Sequence, residues 1–364
     1  MASIFNSLNI GYSGLSAAQI GIDTTGHNIA NAESDGYTRQ RVVTTATTPL
    51  SMRPGNVGNG VEIKDVKRVF DNFVFERFSS VSADKEYSDY EQNKLEELST
   101  YFPEIDGVGI KSDLSQYYNM WQTFADNPDN DSIKVALAQQ TQELTKHITN
   151  TQNQVLTLQH QVNEELKVNI DEVNSLAKEL SKINISIDTA ESAGMYSAND
   201  LRDKRNIIER DLSRLIGAEV TSGNLVSDID IDSTSNTRTG SYTLSVDGFN
   251  IVDGNTYHPI RLSKDSNSSG FYNISYERQD GTLIAMEENI NDGRIGAILD
   301  LRGGTIDNTS NVPVDGILQN TVSQLDAFAK SLAETTNNIY ASSAKTHMQS
   351  NIVEIESDDS LVHS

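Results

Sequence analysis

The chain reads as a mainly α protein with inserted β structure, elongated and multidomain. Three observations predict it. Apolar residues recur every seven positions over long stretches. Strand-like alternation is confined to two short blocks. Hydrophobic residues are only 36% of 364, low for a compact enzyme and suited to a shape with much surface per residue.

The first element is a helix over residues 4–32, of coiled-coil type. Leu8, Leu15, Ile22 and Ile29 form one row seven apart. Ile4, Gly11, Ala18, Thr25 and Ala32 form a companion row of mostly small residues, so a partner backbone has room to approach. Ser3 is placed to cap its start. Ser34, Asp35 and Gly36 break it. "QRVVTTA" (40–46) and "GVEIKDVKRV" (60–69) then read as two strands. Pro49, Pro54, Gly55, Gly58 and Gly60 mark the segment between them as a long irregular connection.

Residues 70–102 predict a helix with Val74, Val81, Leu95 and Phe102 on one heptad row, ended by Pro103. A short helix covers 114–124. "DNPDND" then turns the chain and caps the next helix through Asp131 or Ser132. Residues 133–192 carry the strongest period. Ile148, Val155, Val162, Leu176 and Ile183 lie on one row, with Asn169 placed to set register; Leu166, Val173, Leu180 and Ile187 lie on the next. At 1.5 Å per residue such a helix is about 90 Å long. Ser197 and Asp200 form a capping box for a helix that ends at Gly217. From residue 220 to 288 the pattern alternates, with turns at Asp247-Gly248 and Asp280-Gly281. Leu318, Leu325, Leu332 and Ile339 restore the helical period. The expected organisation is thus an N-terminal axial helix (1–32), a helical bundle with a β-hairpin (33–219), an inserted β domain (220–288), a return to the bundle (289–345) and the start of a further domain (346–364).

Composition narrows the chemistry. The formal charge is -24, which opposes nucleic acid and anionic membrane. There is no cysteine, hence no disulfide, thiolate or Cys-zinc chemistry. The amino end has no basic segment followed by an apolar run, so no cleaved signal peptide is expected. His147 and His160 are thirteen apart on a helix, too far to share a metal, and read as solvated; His27 reads as a helix-end polar group. "DIDID" (228–232) lacks the sixth-position glycine and twelfth-position glutamate of a calcium loop and reads as an edge strand. "GVG" (107–109) is a turn. Trp121, in "YYNMWQTF", belongs to an aromatic core. No catalytic, cofactor or metal constellation emerges, and no enzyme is expected.

The segment "SGLSAAQIGIDTTGHNIANAESDGYTRQ" resembles the N-terminal motif of bacterial flagellar axial proteins of the rod and hook. The likeness rests on Ser13-Gly14-Leu15, Ala18-Gln19, Asn28-Ile29-Ala30-Asn31 and Gly36-Tyr37. "GYTRQR" is similar to the hook-associated protein 1 family within that group. So are "WQTFADNPDNDSIKVALAQQTQELTKHI", "LRDKRNIIERDLSRLIG" and "GRIGAILDLRG". Ser34 stands where the family more often has threonine. The family also closes its chain with a C-terminal helix that pairs with the N-terminal one; no such row is visible here, so a truncated chain is expected, with residues 1–32 poorly ordered until assembly.

The resemblance implies a structural adaptor at the hook–filament junction, exported by the flagellar type III route to the cell exterior. It implies hook protein, hook-associated protein 3, an export chaperone and further copies of itself as partners, and no cofactor. Ile4, Leu8, Leu15, Ala18, Ile22 and Ile29 are the expected assembly helix. Asn28, Asn31, Gly36, Tyr37, Arg39, Gln40 and Arg41 are the expected subunit-contact loop, with Tyr37 seating the turn and the two arginines meeting carboxylates of adjacent subunits. A hook or rod subunit is the alternative; an axial domain on a peptidoglycan-cutting enzyme is a more remote one.

Overall fold

The computed structural model describes residues 2–52, 55–103, 107–192, 197–222, 242–264, 270–307 and 312–354. Side chains of residues 2–4, 52, 222, 288 and 343–354 fall outside the description, as does the "DIDID" stretch. The described residues form seven α-helices and small antiparallel sheets, the mainly α fold with inserted β structure that the periodicity predicts. Among them no helix is long and apolar enough to cross a membrane. The chain divides into two compact units, residues 1–91 with 164–299, and residues 92–163 with 300–364.

The first unit begins with α1 (Ala2–Ala30), followed by β1 (Gln40–Ala46) and β4 (Val61–Arg68), which pair antiparallel with a bulge at Val43/Thr44. The connection between them is less irregular than its prolines and glycines suggest. It holds a small ladder, β2 (Leu50–Met52) on β3 (Gly55–Val57). α2 (Asn72–Ser99) starts in this unit, and so does the second half of α4 (Asp131–Glu191). Leu166, Val173, Leu180 and Ile187 on α4 are buried, as the second heptad row requires. Asn169 bonds the carbonyl of Glu165 on its own helix.

α5 (Asn199–Ile216) buries Ile208, Leu212, Leu215 and Ile216 and stops at Gly217, which takes φ 66°. Its expected capping box is not made. The Ser197 hydroxyl donates instead to Asp65 Oδ2 of β4 at 3.0 Å. A stronger acceptor across the fold has drawn away the local cap.

β5 (Glu219–Ser222), β6 (Tyr242–Val246), β7 (Phe249–Asp253) and β8 (Thr256–Tyr257) form one sheet in that order. β9 (Ile260–Lys264), β10 (Tyr272–Glu277) and β11 (Leu283–Ala285) form another, with β10 central. Asp247 and Gly248 both have positive φ, 42° and 88°, as a tight primed turn between β6 and β7 requires. The sheets are tied to α4 by side-chain amides. Asn174 bonds both backbone groups of Ile260, each at 2.8 Å, and Asn184 donates to Gly254 O at 2.7 Å.

Of the heptad row read for α2, Val74 and Val81 are exposed and Leu95 is half-buried, while Phe102 lies beyond the helix end; the helix turns Phe75, Ser79, Ala83 and Glu86 inward. The reason is electrostatic. Glu86 accepts from Arg214 of α5 at 2.6 Å and from Arg294 Nε of α6 (Gly293–Arg302) at 2.9 Å. Ser213 also donates to the Ser79 carbonyl.

The second unit packs the first half of α4 with α3 (Ile110–Asp126) and α7 (Ile317–Glu354). Tyr117, Leu137, Leu144 and Ile148 form its core, ringed by Trp121, Phe124, Phe328 and Leu332. Trp121 meets Tyr117, Phe124 and Tyr340 edge to face, the aromatic cluster expected. Two local expectations are corrected. Asn130, rather than Asp131 or Ser132, caps α4, accepting from Ser132 N at 3.0 Å. His147 is not merely solvated, because its Nδ1 lies 2.7 Å from Asp113 Oδ2 on α3.

Glu86 makes the first unit sensitive to acid. Burial raises its pKa, but hydrogen bonds from Arg214 and Arg294 outweigh that and hold it below 4.5. A carboxylate with a depressed folded pKa stabilises above its unfolded pKa, and that stability is lost as pH falls through the folded one. Melting temperature should therefore drop as pH falls below about 4.5, and Glu86→Gln should flatten that drop while lowering stability near neutrality by roughly 1–3 kcal/mol. Calorimetry against pH reads both.

Candidate assembly interface

α1 is amphipathic in an unusual sense. Asn6, Ile10, Ser13, Ala17, Gly21, Thr24 and Asn28 recur at helical spacing and, with Ser16, are its half-buried positions among the described residues. This small, polar stripe lies on β1 and β4. The Ser13 hydroxyl accepts from Val61 N at 3.2 Å, and the approach is so close that a Cβ on Gly60 would sit 2.4 Å from that oxygen. The helix therefore has a seat in its own chain, on its polar side. The leucine row points the other way. Leu8, Leu15, Ile22 and Ile29 are each about 70% exposed (68%, 69%, 71% and 73%). Ala18 is exposed beside them, and the Ile4 side chain lies outside the described residues.

Asn28 closes the other end of that seat. Its amide nitrogen donates to Gln40 O and its carbonyl oxygen accepts from Gln40 N, both at 2.8 Å. The side chain thus stands in for a neighbouring strand. The same oxygen accepts from the Tyr37 hydroxyl at 2.8 Å, and the Tyr37 ring meets His27 edge to face. The Asn31 side chain donates to His27 O at 3.0 Å, a carbonyl that also accepts from Asn31 N at 3.1 Å. Tyr37, Asn28 and Asn31 are therefore engaged inside the chain.

The loop is held from below by α5. Gly36 has φ 70°, and a Cβ there would fall 2.3 Å from Ile207 Cγ1, so both conformation and space demand glycine. Asp35 accepts both arms of Arg210, at 3.2 and 3.1 Å, which lowers its pKa. Thr38 N donates to Asp203 Oδ2 at 3.1 Å. Gln40 reaches Asp200 and Asn199.

Beneath lies a buried polar network. Arg68 donates to Asp203 at 2.6 Å and to Asn206 at 2.8 Å. Asn206 and Tyr242 both donate to Glu209, each at 2.8 Å. Burial pushes the Arg68 guanidinium down against the pull of Asp203. Asp203, Arg210 and Ile207 had no local signal in the sequence as loop partners, being about 170 positions from the loop in the chain.

Arg39 and Arg41 behave differently. Both are exposed and lack an ion-pair partner among the described residues. Arg41 lies opposite Lys67 across the hairpin. Like charges facing each other across a strand pair are unfavourable, so the ribbon carries a basic patch on an acidic chain. Among the described residues no group of three His, Asp or Glu is placed to hold a metal.

Asn28→Ala leaves the Gln40 amide and carbonyl unmet and should cost about 1–3 kcal/mol. Gly36→Ala should cost about as much through strain and overlap with Ile207. Hydrogen exchange should show faster amides over residues 28–41 in both variants, with the helices of the second unit unaffected.

The family model described as the flagellar hook-associated protein FlgK helical domain matches residues 95–351. A second model, flagella basal body rod protein, matches residues 8–38, which include the leucine row and Asn28. Flagellar hook-associated protein 1 of Bacillus subtilis is 29% identical over 228 residues, 61% of this chain and 45% of that protein. The Escherichia coli protein of the same name is 25% identical over 317 residues, 85% of this chain and 54% of that protein. The chain thus spans about half the length of the curated relatives it matches. A solved structure of the flagellar hook junction protein FlgK from Burkholderia pseudomallei aligns at 20% identity and a TM-score of 0.49, over 63% of this chain and 38% of that one. The chain belongs to the family of flagellar hook-associated proteins that carry the FlgK helical domain.

Proposed function

We propose that this chain is a structural component of the bacterial flagellum, an adaptor at the junction of hook and filament. It works by packing copies and neighbours side by side rather than by catalysis. The observation that carries this reading is the direction of the α1 leucine row. Four large apolar side chains at seven-residue spacing face away from their own chain, on a helix whose polar face is already seated. Among the described residues nothing covers the row, and each such side chain gains roughly 1.5–3 kcal/mol when another helix covers it. Names of the related proteins support the place of action.

The rest of the reading follows from that role. Copies of this chain form a ring or tube segment, with hook protein on one side and hook-associated protein 3 on the other. The chain leaves the cell by the flagellar export route, accompanied by an export chaperone. Arg39 and Arg41 face carboxylates of adjacent subunits, which offsets repulsion between acidic copies.

A strain lacking the gene should secrete unassembled filament subunits, seen in the culture medium and by electron microscopy; normal filaments would overturn the adaptor role. Substituting Leu15 and Ile22 with Asp should block filament assembly while leaving the melting temperature of the isolated chain within about 2 °C, because neither side chain is buried in it.

A further inference from the structure

Asn59 and Gly60 form the single Asn-Gly pair in the sequence. In such a pair the glycine nitrogen can attack the asparagine side-chain amide, because no side chain on the second residue obstructs it. Asn-Ser pairs come next in reactivity. They lie inside helices at Asn6 and Asn174, where the helical backbone holds the attacking N–H, and outside the described residues at Asn267.

The structure leaves this pair free to react. Asn59 and Gly60 lie in the short link before β4, outside every helix and strand, and Asn59 is only half-buried. Among the described residues nothing bonds the Asn59 side-chain amide or the Gly60 N–H. The Gly60 carbonyl, by contrast, accepts from the Thr47 N–H at 3.1 Å and from its hydroxyl at 3.2 Å. Other asparagines of this unit spend their amides, Asn28 on Gln40 and Asn174 on Ile260. The two groups that would react in Asn59-Gly60 are therefore unengaged at a point of the chain that is otherwise anchored.

We propose that Asn59 is a site of spontaneous deamidation, and that the isoaspartate it yields releases the seat of α1. Gly60 N gives up its proton to solvent and bonds to Asn59 Cγ. The Cγ–Nδ2 bond breaks, ammonia leaves, and a succinimide ring closes. Water then opens the ring. Opening at Cγ gives aspartate, with the main chain as before. Opening at the backbone carbonyl gives isoaspartate, whose main chain runs through Cβ and Cγ and whose former carbonyl becomes the carboxylate. Either product adds one negative charge, but only isoaspartate lengthens the chain, by one carbon or about 1.5 Å. That length enters where α1 has no room for it. Val61 N, two residues on, donates to Ser13 Oγ at 3.2 Å, and a Cβ on Gly60 would already stand 3.5 Å from Ile10 Cα. A hydrogen bond tolerates only a few tenths of an ångström, so the added carbon breaks the Ser13 anchor or drives Gly60 into the helix. The Asn28 anchor on β1 is untouched, so α1 loosens from its Ser13 end. The inference rests on the seat alone and holds whatever covers the leucine row.

The purified chain, held for days at mildly alkaline pH, provides the test. Peptide mass spectrometry with electron-transfer fragmentation, which separates isoaspartate from aspartate, should find Asn59 modified ahead of every other asparagine. Anion exchange then collects the more acidic chains. In that fraction a population matching the isoaspartate content should exchange the α1 amides around Ser13 about tenfold faster than the parent, with the second unit unchanged. Asn59→Asp carries the same charge without the longer chain and should exchange like the parent. Asn59→Ala should form no acidic species at this peptide and keep its α1 protection throughout. The proposal is overturned if Asn59 reacts only once denaturant unfolds the chain, if other asparagines react first, or if isoaspartyl chains exchange like the parent. It is equally overturned if N59D loosens α1 as much as isoaspartate does, or if the parent is unprotected around Ser13 from the start, because then there is no seat to release.

Discussion

Asn28 spends its side-chain amide on the backbone of Gln40, and Ser13 spends its hydroxyl on the backbone of Val61. These two anchors, fifteen residues apart on α1, set how the helix is rolled about its axis. The β1–β4 ribbon presents amides and carbonyls that need partners, and leaving each unmet costs about 1–3 kcal/mol. A stripe of Ser, Gly, Thr and Asn can approach closely enough to meet them; a stripe of leucines cannot. The polar face goes in for that reason, and the leucine row is left outward. Burial of the row is then the largest hydrophobic gain that α1 has still to make.

The same device recurs deeper in the first unit. Asn174 of α4 pairs with both backbone groups of Ile260, as Asn28 does with Gln40. In each case one amide side chain substitutes for a missing strand and ties a helix to a sheet edge. The ionic groups around α5 serve a related purpose. Arg68, Asp203, Asn206 and Glu209 are largely withdrawn from water, and taking charges out of water offsets most of their attraction. What they contribute is geometry: the 34–40 loop has one docking position, because each donor and acceptor in it has a specified partner on α5.

The seven-residue periods of α4 and α7 were readable because helix packing is local arithmetic. Leu166, Val173, Leu180 and Ile187 had to share a face, and that face had to be buried. The turn at Asp247-Gly248 was readable because few dipeptides accept positive φ at both positions. The failures are equally specific. Val74 and Val81 fit a heptad row, yet Glu86, with its two arginines, rolled α2 the other way. Ser197 fits a capping box, yet Asp65 claimed its hydroxyl. In both cases a group distant in sequence outcompeted a local preference worth about 1 kcal/mol.

By itself the sequence determined the helical periods, the hairpin turns, the acidic surface, and the motif from Ser13 to Tyr37 that marks an axial protein. These depend on neighbours within a few turns of chain, so pattern alone carries them. Only the tertiary structure decided which face of α1 and of α2 looks outward. It also decided that Gly36 rests on Ile207, and that Asn28, Asn31 and Tyr37 are used inside the chain while Arg39 and Arg41 remain exposed. Those outcomes depend on hydrogen bonds and ion pairs between residues up to about 170 positions apart, whose competing partners no local period records.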